Sequence, residues 1–222
     1  GEGATKRGRK NIAVLNFASG RNPGGGFQNG AQAQEESLAR SSGLFPCLLT
    51  QEDTFYIPHR NSQSPFYSSS VIFSPRVPFF KKDDGSLLDT PVYASVLTSA
   101  AVNAGVVRKR NGNKMDAKIM EENKKRMMLA LKVAALKGQE VLILGAFGCG
   151  VFKNSPDEIA KTWMTCLANP MFEGRFQRVC FAVCDTTKDR RVLRAFDWAM
   201  DRNKTKSRWP QHRRTGFPVV HV

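Results

Sequence analysis

The sequence has few side chains that could hold a metal ion or close a disulfide. It contains three histidines, and none stands at the spacing of a zinc site. Its five cysteines are odd in number and include no C-x-x-C pair, which is typical of reduced thiols in the cytoplasm or nucleus. We therefore expect no bound metal, no cofactor and a reducing compartment. The residues concerned are His59, His212, His221, Cys47, Cys149, Cys166, Cys180 and Cys184.

Long hydrophobic runs are also missing. The longest run without a charged residue, Thr90–Val107, contains Pro91 and several hydroxyl and amide side chains, so it lacks the unbroken apolar stretch of about 20 residues that spans a bilayer. The basic stretch Lys6–Lys10 is followed by only a short apolar segment and no small-residue cleavage site, unlike a secretory signal. We therefore expect no contact with a membrane.

Acidic residues are scarce relative to basic ones. The 222 residues include 34 Lys and Arg against 19 Asp and Glu, which gives a formal net charge of +15 and a pI near 10. A field of this size attracts polyanions, and we expect the basic N- and C-terminal ends to contact one. The charge alone leaves open which polyanion it is. The length predicts a single domain over residues 1–222, which we expect to be a monomer.

What the sequence does contain is an alternation of apolar strands and amphipathic helices. Four apolar runs predict strands, and they are Asn11–Phe17, Val92–Leu97, Val141–Gly145 and Val179–Cys184. Helical spacing of apolar residues predicts three later helices, which are Lys118–Leu136, a helix starting at the capping residue Ser155, and Asp189–Asp201. Strands that alternate with helices in this way are typical of an α/β fold with a mostly parallel sheet.

The middle of the chain departs from this alternation. Two short strands are predicted there, Ser70–Phe73 and Val77–Phe80, followed by a turn at Asp83–Gly85. The continuous apolar run Val141–Leu144, by contrast, is typical of a strand covered on both faces. We therefore predict a mixed central sheet.

Two glycine-rich loops follow two of these strands. The first glycine loop is Ala18–Phe27, and the second glycine loop is Gly145–Phe152. Glycine lets backbone N–H groups turn together toward an anion, and ligands of open α/β sheets bind beyond the carboxyl ends of the strands. A diphosphate would fit between two such loops. The alternative is that both loops are only tight turns.

The usual nucleotide-binding patterns are absent from both loops. The chain has no G-x-x-x-x-G-K-[ST], and neither loop fits G-x-G-x-x-G. These absences argue against an ATPase and against an ordinary dinucleotide-dependent dehydrogenase.

An acidic triplet, Gln34-Glu35-Glu36, follows the first glycine loop and opens a short helical pattern through Arg40. Two carboxylates at a helix N-terminus often only complement the helix dipole. If the loop holds a sugar phosphate, however, a carboxylic acid at this position would lie near the leaving oxygen of a glycosidic bond. The residues alone leave both interpretations open.

The spacing of these groups resembles that of a known family. Gly24-Gly25-Gly26, seven further residues and Gln34-Glu35-Glu36 are together similar to the GGG-x(6–8)-QEE pattern of poly(ADP-ribose) glycohydrolases, and Asn16–Leu48 resembles the bacterial type. The second glycine loop resembles the diphosphate-binding loop of that family. The resemblance, which covers about Asn11 to Asp201, implies a macrodomain-like three-layer α/β/α fold. It also implies hydrolysis of the ribose–ribose O-glycosidic bond, with release of ADP-ribose.

The resemblance implies a role for residues of the triplet and of both loops. Glu36 would be the catalytic acid and base, Glu35 would hold ribose hydroxyls, and Gln34 would help to fix that segment. Backbone donors of the second glycine loop would bind the diphosphate, and Phe152 would pack against the ribose. The substrate-binding residues would be Asn22, Gly24, Gly25, Gly26, Gln34, Gly148, Cys149, Gly150, Val151 and Phe152. The partner would be poly(ADP-ribose) or ADP-ribose, and no metal would take part.

Two other functions stay open. The same pocket could bind ADP-ribose without hydrolysing it, and Glu35 and Glu36 would then only start a helix. The chain could instead bind nucleic acid through its basic ends, or remove ADP-ribose from nucleic acid or protein. Release of ADP-ribose from the polymer distinguishes the enzyme from a binding module.

Overall fold

A computed structural model describes residues 11–204 and 219–221 of the chain. Their strands form one sheet in the order β2-β3-β1-β4-β5-β6, in which β2 is antiparallel to β3 and all other neighbours are parallel. The strands are β1 Ile12–Phe17, β2 Ile72–Lys81, β3 Leu87–Ser99, β4 Val141–Gly145, β5 Arg178–Val183 and β6 Val219–His221. The helices are α1 Gln34–Ser41, α2 Leu44–Leu49, α3 Ile57–Ser62, α4 Ala104–Asn111, α5 Asp116–Leu136, α6 Pro156–Leu167 and α7 Arg191–Lys204. The predicted α/β fold with a mixed sheet is confirmed.

The two short strands predicted between residues 70 and 80 are wrong. They are parts of one strand, β2, which pairs with β3 along its length and shifts register between Ser74 and Val77. Arg76 lies within this shift at a φ of 48°, in the left-handed region. The extra residue of such a bulge bends the strand without ending it, and proline is tolerated at bulges and on edge strands. Pro75 and Pro78 therefore lie inside a strand that the local pattern divides in two.

Helices cover the sheet on both faces. Leu97 of β3 belongs to a buried cluster with residues of α5, α6 and α7, whereas its neighbour Val96 belongs to a second cluster with residues of α2 and the segment Phe55–Tyr56. Successive residues of a strand point to opposite faces, so the two clusters place the sheet between two helical layers. The predicted three-layer α/β/α arrangement is confirmed. None of the helices in the described part of the chain has both the length and the apolarity to cross a bilayer.

Helix α6 begins where its sequence predicts and fixes the start of the second glycine loop. The Ser155 hydroxyl accepts a hydrogen bond from the Glu158 N–H at 3.5 Å, and Pro156 is the first helical residue. Trp163 is fully buried, and its indole N–H donates to the carbonyl oxygen of Gly145 at 3.1 Å. One aromatic side chain thus joins α6 to the end of β4.

We predict that Trp163→Ala lowers the free energy of unfolding by about 3–5 kcal/mol, because it opens a cavity and leaves the Gly145 carbonyl without its donor. Urea-induced unfolding measures this change. Trp198→Ala on α7 is the matched control, because Trp198 is 44% exposed and its loss opens no comparable cavity. Equal losses in the two variants would contradict the assigned role of Trp163.

Candidate active site

The two glycine loops meet at the carboxyl edge of the sheet. β1 and β4 are parallel neighbours, so the loops that follow them leave the same edge. The ring of Tyr67 lies between them. A Cβ on Gly20 of the first loop would come within 2.7 Å of that ring, and the ring centroid of Phe152 in the second loop is 6.0 Å from it. The loops therefore flank the crevice expected beyond the carboxyl ends of β1 and β4, and the ring of Tyr67 lies near both of them.

The carboxylates of the acidic triplet bind the first glycine loop. The Ser19 N–H donates to Glu35 Oε2 at 2.6 Å, and the Gly26 N–H donates to Glu36 Oε1 at 3.0 Å. Both acidic residues lie in the first turn of α1, but each receives a hydrogen bond from a loop amide outside the helix. A helix-dipole role alone therefore does not account for them.

Gly25 is the point at which loop and carboxylates are in closest contact. It adopts a left-handed φ of 63°, and a Cβ built on it would lie 2.2 Å from Glu36 Oε1 and 3.2 Å from Glu35 Oε2. No side chain fits there unless the carboxylates move. The two acids therefore face the same backbone atom of the loop.

Gln34 anchors the start of α1 to the sheet. Its side-chain oxygen accepts from the Phe17 N–H at 2.9 Å, and its side-chain nitrogen donates to the Leu15 carbonyl at 2.7 Å. These backbone groups lie beyond Val14, the last residue of β1 in register with β4. The amide of Gln34 thus continues the hydrogen bonding of β1 where β4 no longer pairs with it, and this fixes the position of the two glutamates that follow.

The two glutamates lie in different environments. Glu35 is 3% exposed, and its pKa is raised to about 8. Burial is the main cause and the charge of Glu36 adds to it, whereas hydrogen bonds from Ser19, Asn16 and Gly24 act in the opposite direction. Glu36 is only half buried and lies beside the loop. Glu35 is therefore suited to holding a ligand group as a neutral acid, and Glu36 has the freer access to solvent.

The second glycine loop is held by a pair of buried asparagines. Asn154 donates to the carbonyl oxygens of Val102 at 2.9 Å and Gly148 at 3.0 Å, and it accepts from the side chain of Asn123 at 2.8 Å. Gly148 has a φ of 70°, and a Cβ there would lie 2.5 Å from the Cβ of Ala101. These hydrogen bonds fix the second glycine loop to α5 and to the segment that follows β3.

Comparison with known proteins accords with this arrangement. A family model described as the catalytic domain of microbial-type PARG matches residues 2–82, which include the first glycine loop and the acidic triplet. The solved structure of poly(ADP-ribose) glycohydrolase (PARG) from Deinococcus radiodurans in complex with ADP-ribose is 40% identical, with a TM-score of 0.79 over 87% of this chain and 76% of that one. The chain belongs to the microbial-type poly(ADP-ribose) glycohydrolase family.

Structures from a second organism show a similar degree of likeness. The PARG of Thermomonospora curvata is 41% identical, with a TM-score of 0.80 over 86% of this chain and 68% of that one. The structure of PARG from the same organism bound to the inhibitor ADP-HPD is 42% identical, with a TM-score of 0.79 over 85% and 70% of the two chains. A search of curated proteins gives no match.

The residues that the family resemblance implies do not all lie equally close together. Gly24, Gly25, Gly26, Glu35 and Glu36 form one contacting group. Phe152 lies near Tyr67, whose ring packs against Gly20 of the same loop, and Gln34 anchors the group to β1. Among the others, Gly148 and Cys149 are partly buried, whereas Asn22, Gly150 and Val151 are exposed at the tips of their loops.

His59 is a site residue that the sequence analysis missed. It is buried, and its Nε2 accepts from the Ser68 N–H at 3.0 Å. Its Nδ1 therefore carries the proton and donates to the Gly20 carbonyl at 3.0 Å. The ring joins the first glycine loop to the segment that carries Tyr67. His59 lies within the short helix α3, and nothing in the neighbouring sequence indicates this role.

Arg126 is a second residue that the sequence analysis missed. It is fully buried on α5 and donates to the carbonyl oxygen of Ala100 at 3.0 Å and to that of Phe66. It forms no ion pair with any carboxylate in the described part of the chain. Burial lowers its pKa to about 10, so it stays cationic at neutral pH. An arginine among other charges on a helix is ordinarily predicted to face solvent.

We predict that Gly25→Ala breaks the hydrogen bond between Gly26 and Glu36, because the new methyl group occupies the position of the carboxylate. Hydrogen exchange of the Gly26 amide should become at least about tenfold faster, as expected of a local opening. Gly30→Ala is the matched control, since Gly30 also has a positive φ, 80°, but has open space where a Cβ would be. Slow exchange retained in Gly25→Ala would contradict the close contact.

The raised pKa of Glu35 predicts a pH-dependent stability. Its ordinary value is 4.5 and its folded value is about 8, so the neutral acid stabilises the fold fully below about pH 4.5, and this contribution is lost as the pH rises through 8. Glu35→Gln, which stays neutral, should therefore gain stability relative to the parent between pH 5 and pH 9 in urea unfolding. A difference that is constant over this range would show that Glu35 is not protonated in the folded protein.

Proposed function

We propose that this protein hydrolyses the ribose–ribose O-glycosidic bond of poly(ADP-ribose) and releases ADP-ribose. The observation that carries the proposal is the contact of two carboxylates with one glycine of the first loop, at the edge of the sheet where α/β proteins bind ligands. Membership of the glycohydrolase family supports the same activity. A tight turn followed by an ordinary helix start would need neither the absence of a side chain at Gly25 nor the buried Glu35.

The two glycine loops bind the substrate in this proposal. Backbone N–H groups at Gly148, Cys149 and Gly150 bind the diphosphate, while Gly24–Gly26 lie close to the adjoining ribose. Left-handed glycines direct neighbouring amides to one side, which is how loops of this kind bind anions. Phe152 packs on the ribose, and its proximity to Tyr67 supports that position. The exposed residues Asn22 and Val151 border the crevice.

Glu36 acts as the acid and the base of the reaction. As an acid it protonates the ribose oxygen that leaves, while the C1″–O bond breaks and C1″ gains oxocarbenium character. The negative charges of the diphosphate and of the Glu36 carboxylate that forms on proton transfer stabilise that cation. Glu36, now ionised, takes a proton from the incoming water as its oxygen bonds to C1″, which restores the acid.

Glu35 orients the ribose in this scheme. It is the more buried of the two acids, and as a neutral carboxyl it both donates and accepts a hydrogen bond. Ribose hydroxyls beside it would be held by a group fixed in turn by Ser19 and Asn16. The two adjacent acids thus have different roles because their burial differs.

We also propose that charge attracts the substrate to the protein. The basic residues at both ends would attract the polyanionic polymer, and much of this charge lies in residues 1–10 and 205–218, outside the described residues. The chain would act as a monomer in a reducing compartment, cytoplasmic or nuclear. All five cysteines are free thiols, which supports that compartment.

We predict that Glu36→Gln lowers the rate of ADP-ribose release from the polymer by about 10²–10⁴-fold, because it removes the proton donor. Its dissociation constant for ADP-ribose, measured by calorimetry, should stay within a few-fold of the parent value. Glu121→Gln, on the exposed side of α5, is the control and should leave both quantities unchanged.

The outcomes separate the proposed enzyme from its alternatives. Hydrolysis retained in Glu36→Gln would refute the assigned acid. A parent protein that binds ADP-ribose but releases none from the polymer would be a binding module. Release of ADP-ribose from modified nucleic acid or protein, with the polymer left intact, would indicate a different substrate class.

A further inference from the structure

Two polar atoms behind Glu35 are buried without a hydrogen-bond partner. They are the hydroxyl of Tyr56 and the side-chain oxygen of Asn16, which find no partner among the described residues. Both residues are 0% exposed. Leaving a donor or an acceptor unpaired in the interior is unfavourable, and native proteins commonly satisfy such groups with a buried water.

Both atoms belong to the surroundings of the same carboxyl group. The Asn16 side-chain nitrogen donates to Glu35 Oε1 at 3.3 Å and to the Thr98 hydroxyl at 3.2 Å. Burial raises the pKa of Tyr56, and the negative charge of Glu35 raises it further. Asn16 therefore contacts Glu35 directly, and Tyr56 lies within range of its charge.

The sheet register places the two residues on one face. Asn16 is in register with Thr98, and Val96, two residues before Thr98, packs in the cluster that contains Tyr56. Alternate residues of a strand share a face, so Asn16, Thr98 and Tyr56 lie on the same side of the sheet. This is also the side on which α1 brings in Glu35.

We infer that one buried water bridges the Tyr56 hydroxyl and the Asn16 side-chain oxygen, and that Tyr56 is thereby a positioning residue for Glu35. The donors and acceptors match: the phenol donates to the water, and the water donates to Asn16 Oδ1. The second hydrogen of the water is available to the Glu35 carboxylate. Such a water has three polar partners, the usual number for a buried one.

The bridge fixes which way the Asn16 amide points. With its oxygen bound to the water, its nitrogen stays directed at Glu35 and Thr98, where it stabilises the ionised carboxyl. A flipped amide would present its oxygen to Glu35 and would favour the neutral acid. Tyr56 therefore opposes the effect of burial on Glu35 without touching the substrate.

Other groups also act on this network. Glu36 adds negative charge from α1, and the Ser19 and Gly24 amides donate from the first glycine loop. The charge of Glu52, which is paired with Arg60, also raises the pKa of Tyr56. Tyr56→Phe alters none of these groups and removes only the hydroxyl.

The first test is the titration of Glu35 in Tyr56→Phe, followed by ¹³C NMR of the glutamate carboxyls, with the Glu35 signal assigned by its loss in Glu35→Gln. We expect the pKa of Glu35 to rise by about one unit, a tenfold change in proton affinity. Tyr93→Phe is the matched control, because it makes the same chemical change at a half-exposed ring on β3. An unchanged titration in Tyr56→Phe would overturn the inference.

A double variant tests whether Tyr56 acts through Asn16. Asn16→Leu removes the amide, so adding Tyr56→Phe to it should shift the Glu35 titration no further. Shifts that simply add would show that the two residues act independently. A crystal structure with a water within hydrogen-bond distance of both atoms would support the bridge, and a Tyr56 hydroxyl bound to another protein group would contradict it.

The consequence for catalysis rests on the proposed glycohydrolase function. In a plot of kcat against pH, the transition that reflects ionisation of Glu35 should move to higher pH in Tyr56→Phe. The shift should equal the change in pKa measured by NMR. If the parent releases no ADP-ribose from the polymer, the proposed function fails while the NMR test of the bridge stands. If the parent is active and the profile is unmoved, the positioning role fails instead.

Discussion

The site depends on hydrogen bonds between two side-chain carboxylates and the backbone of a loop that has no side chain at the point of contact. The Ser19 and Gly26 amides bind Glu35 and Glu36, and Gly25 lies between them with its α-carbon against both acids. Loop and helix therefore fix each other. A loop held in this way has its amides already oriented before any ligand arrives, which lowers the entropy lost on binding.

The second glycine loop reaches the same rigidity by different chemistry. It is held by the neutral pair Asn123 and Asn154, whose hydrogen-bond partners among the described residues include no carboxylate. The difference suits the groups that the two loops are proposed to bind. A carboxylate beside a diphosphate would repel it, whereas an amide pair fixes the backbone without adding charge. In the proposed reaction, the acids lie where a proton is transferred, and the amides lie where the diphosphate is bound.

The sequence predicts those parts of the structure that are determined by residues close together along the chain. Strand β4 follows from its continuous apolar run, and helix α6 from Ser155 and Pro156. The paired glycine and acidic triplets could be found because both lie in one short segment. The bulge in β2 could not be predicted, since proline locally indicates a break and only pairing with β3 restores the strand. The buried roles of Tyr56 and Arg126 depend on contacts between residues distant in the chain, which no local pattern encodes.

Arg126 gives the crevice a positive charge that solvent cannot reach. Its guanidinium lies in the interior and donates to the carbonyls beneath Tyr67, at Phe66 and Ala100. Dissolved ions weaken the attraction between exposed charges but cannot approach one that is enclosed by protein. The electrostatic attraction between this arginine and a bound anion therefore persists at ionic strengths that screen the attraction of surface lysines. Under the proposed function, long-range attraction of the polymer by the basic ends and binding of an ADP-ribose unit in the crevice then respond differently to salt.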